Sequence, residues 1–228
     1  MIPIRDTIRS KTIPYVNYSL IALCGAMFLY EVSLGERVES LIRNYGVTPV
    51  YVSSTLFSGH FALRPLMTLF TSMFLHGGWL HLVGNMLYLY IFGDNVEDRL
   101  GHRGYLVFYL IAGVGAALVE VWFQQGSYAP LIGASGAIAG VLGAYFILFP
   151  KSRILTLIPL FVFFPVVEIS AFFFLGFWFL MQFVEGWFTA EAGASASGGV
   201  AWWAHAGGFI AGALLLPFFL LARRAVSR

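Results

Sequence analysis

The amino-acid sequence predicts an all-α membrane protein, a bundle of six transmembrane helices with both termini cytoplasmic. Three observations predict it. Of 228 residues, 59% are hydrophobic and only 11% charged, whereas a soluble domain typically carries roughly 25% charged residues. The apolar residues gather into runs long enough to be read as spans of a bilayer. The basic residues alternate between the segments joining those runs, as the positive-inside rule requires. The single cysteine, Cys24, excludes a disulfide within the chain and a cysteine-based metal site. A lipid bilayer is the expected surrounding, and no nucleic-acid partner is expected.

Residues 1–14 read as a cytoplasmic segment carrying Arg5, Arg9 and Lys11, with no signal-peptide cleavage pattern. Residues 15–222 read as one transmembrane domain. Its first span, Tyr15–Leu34, is a retained anchor. A long first loop follows, and its Arg37, Arg43 and Arg64 dissent from the charge rule. The second span, Gly78–Gly93, is short, and Arg99 and Arg103 follow it. The third is Gly104–Phe123, after which comes a loop without basic residues. The fourth is Leu131–Pro150, followed by Lys151 and Arg153. The stretch Ile154–Val167 is apolar but holds Pro159 and Pro165, so it reads as an interfacial loop or a lead-in to the fifth span, Glu168–Phe188. The next loop again lacks basic residues; its Ser195–Gly199 is small and flexible. The sixth span, Ala201–Ala222, ends in a cytoplasmic tail over 223–228 with Arg223, Arg224 and Arg228.

Polar groups at membrane depth are costly and face the bundle interior. Ser135 lies near the start of span four, His205 near the start of span six, and His81 and Asn85 form an i, i+4 pair at the start of span two. These spans share one direction. At about 1.5 Å rise per residue, Ser135, His81 and His205 each fall roughly 5–6 Å below their span starts, with Asn85 a turn deeper. Gly136, Gly140 and Gly143 on span four, and Gly208 and Gly212 on span six, allow close helix approach. A serine hydroxyl needs a base to become a nucleophile, and neutral histidine suits that task. Asn85, His81 and the Ser135 backbone N–H are candidate donors to a developing oxyanion. The aspartates, Asp6, Asp94 and Asp98, all fall on the opposite side, and no spacing links Glu120 or Glu185 to His205, so a Ser–His dyad is expected rather than a triad.

Three stretches carry a family resemblance: HGGWLHLVGN (His76–Asn85), GASGAIAG (Gly133–Gly140) and HAGGFIAG (His205–Gly212). In this order and on these spans they resemble the motifs of the rhomboid intramembrane serine proteases, and FGDNVED (Phe92–Asp98) resembles that family's exit from span two. The resemblance implies a serine endopeptidase that cuts transmembrane segments of other membrane proteins, without a cofactor or metal. It implies Ser135 as nucleophile, His205 as base, and His81, Asn85 and Gly133 at the oxyanion site. It implies cleavage beside small residues, substrate entry past span five and the loop after it, and a multi-pass protein of a prokaryotic plasma membrane. Two positions depart from the family pattern. Leu63 stands where many members have a tryptophan before Arg64, and Ala139 stands where some have a tyrosine against the catalytic histidine. Trp202, Trp203 and Phe209 are neighbours in sequence that could hold the His205 ring instead.

Weaker readings stand beside these. His76 precedes span two and reads as structural. A zinc site from His76, His81 and His205 is disfavoured, because five-residue spacing turns the first two apart on a helix and no carboxylate or thiolate joins them. His60 and His102 read as solvated loop residues. A rhomboid-fold binding or chaperone protein without activity is the main alternative, but such relatives lack the serine or the histidine. A transporter would line a path through the membrane with polar groups, whereas these cluster near one face.

Overall fold

The computed structural model describes residues 1–58, 61–191 and 200–226. His60 and the Ser195–Gly199 stretch lie outside them. The chain is mostly helical: α1 (Tyr15–Ser33), α2 (Val38–Tyr45), α3 (Pro49–Phe57), α4 (Leu63–Thr71), α5 (Trp79–Leu100), α6 (His102–Phe123), α7 (Ser135–Leu148), α8 (Ala171–Glu191) and α9 (Trp202–Val226). Four of the described helices, α1, α6, α8 and α9, are long and apolar enough to cross a membrane on their own, and α5 joins them when paired with α4 across an 81° bend. The long first loop is folded into α2, α3 and α4. Its Arg43 pairs with Glu39 at 3.2 Å, and Arg64 donates to Asn44.

The expectation of an all-helical chain is corrected by a small antiparallel sheet, ordered β1 (Ile2–Asp6), β2 (Arg153–Leu157), β3 (Val166–Ser170). The residues expected as a free N-terminal segment supply β1, and the apolar stretch after span four supplies the β2–β3 hairpin. Ile2 pairs with Leu157 and Asp6 with Ile154, with a register shift between Pro3 and Arg5. Ile154 and Thr156 are buried, while Arg153 faces out on the same strand, the period-two pattern of a strand with one covered face.

The short helix α7 is the centre of the bundle. Every residue from Ala137 to Tyr145 is buried. Fourteen residues make a helix of about 21 Å, against about 33 Å for the 22 residues of α6. Glycine lets its neighbours close in. A methyl group on Gly208 would strike the backbone of Gly136, one on Gly212 that of Gly140, and one on Gly143 that of Phe209. On the other side Gly136 and Gly140 receive Ala116 and Ala112 of α6. Small-residue contacts of this kind replace the hydrophobic effect, which lipid does not supply between helices.

Three buried glutamates tie the elements together by accepting backbone N–H groups that would otherwise be orphaned. Glu97 accepts from Val16 at 3.0 Å and Asn17 at 2.7 Å, at the start of α1. Glu31 accepts from His76 at 3.2 Å, just before α5. Glu120 accepts from Ala204 at 2.6 Å, in the first turn of α9. His102, expected as a solvated loop residue, instead opens α6 and contacts Glu97 through Nδ1.

Candidate active site

Ser135 is the first residue of α7, not a residue one turn inside it. The helix expected from Leu131 cannot begin there because the backbone is engaged elsewhere. Val47 and Leu131 exchange hydrogen bonds of 2.9 and 2.7 Å, and Gly133 N–H donates to the Ser72 carbonyl at 2.9 Å. Gly133 holds φ +128°, which L side chains rarely adopt, and a Cβ there would lie 2.7 Å from His81 Nε2. Gly133 therefore leaves the space that His81 occupies, while its own N–H is taken by Ser72. The Ser135 backbone N–H belongs to the first turn of α7, where helices leave donors unpaired.

His205 lies in the first turns of α9. Its Nε2 is 2.7 Å from Ser135 Oγ, and its Nδ1 is 2.7 Å from Gln182 Oε1 on α8. Gln182 is buried, and its amide NH₂ donates to the Trp178 carbonyl at 3.2 Å. That second bond orients the amide with its oxygen toward the ring. The oxygen accepts, so Nδ1 carries the proton and Nε2 is left to accept from the Ser135 hydroxyl. The Trp178 ring lies 5.9 Å from the His205 ring at 33° between planes, and Trp202 closes another side at 6.3 Å.

His81 and Asn85 sit on one face of α5. The Gly77 N–H donates to His81 Nδ1 at 3.3 Å, which leaves the His81 proton on Nε2, the atom beside Gly133. Asn85 is buried, and among the described residues its amide nitrogen has no hydrogen-bond partner. A donor left unpaired in a bundle interior is unusual and calls for a use. His76 packs edge-on against His81 with centroids 5.2 Å apart. A cavity of about 40 Å³ adjoins Ser135, walled by Met73, Ile132, Gly133, Gly136 and Ala204. The structure thus joins Ser135 to His205 by a hydrogen bond and sets His81 beside Gly133.

The Rhomboid domain model matches residues 63–222. The chain belongs to the rhomboid family. Similar proteins include Rhomboid-like protein 11, chloroplastic, of Arabidopsis thaliana, 45% identical over 31% of this chain and 25% of that protein. RHOMBOID-like protein 6, mitochondrial, of the same plant is 32% identical over 48% of this chain and 40% of its own length. Rhomboid protease AarA of Providencia stuartii is 27% identical over 57% of this chain and 49% of its own. The chain thus spans between a quarter and a half of the rhomboids it matches here.

Gln182 and Trp178 are what the sequence reading of this rhomboid missed. The signal was present. Gln182 is an uncharged polar residue inside an apolar span, four residues after Trp178. The aromatic support sought among Trp202, Trp203 and Phe209 comes from Trp202 and, on the neighbouring helix α8, from Trp178.

Proposed function

We propose that the chain is an intramembrane serine endopeptidase acting on transmembrane segments of other membrane proteins. One observation carries the reading: the Ser135 hydroxyl lies on His205 Nε2 while Gln182 accepts from Nδ1. In the first half-reaction His205 takes the hydroxyl proton as Ser135 Oγ bonds to the scissile carbonyl carbon. The carbonyl oxygen becomes an oxyanion, received by the Asn85 amide, the His81 Nε2–H and the Ser135 backbone N–H. The tetrahedral adduct collapses as His205 returns the proton to the departing amine. Water then attacks the acyl-enzyme by the same route, with His205 as base again. Gln182 fixes the tautomer throughout. The small cavity beside Ser135, walled in part by Gly133, Gly136 and Ala204, favours a small side chain at the cut.

The proposed topology has six spans, counting α5 and α7, with both termini cytoplasmic and Ser135 toward the outer face. Helix α7 can be short because α5, α6 and α9 enclose it. An integral membrane location follows from the apolar helices. The compartments named for the relatives are chloroplast and mitochondrion, alongside a protease from a bacterium, and they lend no support to a prokaryotic plasma membrane in particular.

A fluorophosphonate probe should label the purified full chain in detergent micelles, and Ser135→Ala should abolish labelling. Equal labelling of that variant would remove Ser135 as nucleophile and leave the inactive binding protein as the reading.

A further inference from the structure

Between α7 and α8 the chain leaves the bundle as the β2–β3 hairpin, whose outer part is apolar and whose base carries exposed Arg153 at 3.8 Å from Glu168. No side chain from Ile154 to Val167 is charged. At its tip Phe161 is 101% exposed, Val162 78% and Phe163 71%. The tip is a formed turn, because Leu160 and Phe163 exchange two backbone hydrogen bonds of 2.8 Å. Phe161 holds φ +52° there, a costly conformation for a bulky residue. The backbone thus keeps a strained turn that holds its aromatic side chains outward.

The position of the hairpin narrows what covers it. Ser135 begins α7, and the hairpin follows the other end of that helix, so the tip stands at the end of the bundle away from Ser135. Strand β3 runs directly into α8, one of the helices long enough to cross a membrane. The first turn of α8 exposes Phe172 and Phe173. A groove of about 540 Å³ separates that turn from the hairpin base, lined by Lys151 and Arg153 together with Phe172 and Phe173. Cations at the base and aromatic rings at the mouth of a span match the two halves of an anionic phospholipid.

We propose that the hairpin is a lipid anchor. Its tip, Leu160–Phe164, inserts into the leaflet around the feet of α7 and α8, while Lys151 and Arg153 hold the phosphate of an anionic lipid whose acyl chain lies along Phe172 and Phe173. Amphipathic surface elements bind membranes by this combination of buried apolar side chains and basic flanks. The proposal is independent of the proteolytic reading.

The full chain carrying Val162→Cys, nitroxide-labelled and reconstituted in vesicles, tests it. Cys24 is buried and stays in place; the wild-type chain treated alike gives the background. In vesicles of phosphatidylcholine and phosphatidylglycerol in equal parts, dissolved oxygen should relax the label severalfold more than a water-soluble nickel complex. The label should sit shallower in phosphatidylcholine alone, and Lys151→Gln/Arg153→Gln should abolish the difference between the two lipids. A label equally open to nickel means a tip in water and overturns the anchor. A label shielded from both reagents means a protein cover, and spin–spin broadening that vanishes on dilution with unlabelled chain means a second copy; either overturns it. Equal depth in both vesicles overturns the phosphate site.

Discussion

The His205 ring is braced, on the side away from Ser135, by an amide rather than a carboxylate. A carboxylate there would stabilise the imidazolium that forms when the serine is deprotonated, as well as setting the tautomer. An amide sets only the tautomer, but it avoids a buried charge at membrane depth, where charges are expensive. Gln182 is satisfied on both sides, by the ring N–H and by the Trp178 carbonyl. On the proposed mechanism, Gln182→Leu strands the Nδ1 proton and frees the ring to take the wrong tautomer. A neutral hydrogen bond is worth about 0.5–1.5 kcal/mol, so kcat should fall at least about threefold to tenfold with KM unchanged. Gln182→Glu keeps an acceptor and should recover much of the rate. The measurement is cleavage per folded molecule, with KM and kcat separated. A purely structural Gln182 would show both variants melting earlier, with no rescue by glutamate.

One carboxylate of the sheet bonds two helices of the bundle. Asp6 of β1 accepts from the Tyr145 hydroxyl of α7, and from the Asn95 amide of α5 at 3.0 Å. The Asn95 amide also bonds the neighbouring Asp94 at 2.9 Å. Burial raises the Asp6 carboxyl above the ordinary carboxylate range, and the Tyr145 hydrogen bond works against that rise. The sign follows by linkage. A carboxyl raised by folding holds its proton more tightly in the folded chain, so its stabilising effect is full below the unfolded value of about 4 and is lost as pH rises through the folded value. Asp6→Asn removes that loss while keeping an oxygen for Tyr145. Thermal melts in micelles should therefore show the variant gaining on the wild type as pH rises from about 4 toward neutrality, then holding a constant lead. A wild type that gains on the variant with rising pH would mean the charged form of Asp6 is the stabilising one.

For the whole molecule, the placement of its basic residues bears on which way it crosses the membrane. Arg99, Arg103, Lys151, Arg153, Arg223 and Arg224 lie in or beside the helix ends at one end of the bundle, and Ser135 lies at the other. The first loop breaks the charge rule with Arg37, Arg43 and Arg64, all exposed; Arg43 pairs with Glu39 and Arg64 donates to Asn44 on the surface of a folded loop. A tag at either terminus should be reachable only from the cytoplasmic side, and one at Gly126, after α6, only from the other. A C-terminal tag reachable from the outside would exclude six spans.

The sequence by itself determined the positions of the apolar helices, the family, and the choice of Ser135, His205, His81 and Asn85 as candidates. Apolar run length, glycine spacing and a polar residue in an apolar span are local properties, and a local reading recovers them. Only the tertiary structure decided the rest. The strand at residues 2–6 pairs with one about 150 positions away, and nothing near either announces the partner. The start of α7 at Ser135 depends on Val47 and Ser72 engaging the residues before it. Gln182 reaches His205 because α8 lies against α9, a contact between side chains 23 residues apart. Each of these is a contact between distant segments, and such contacts exist only once the bundle has closed.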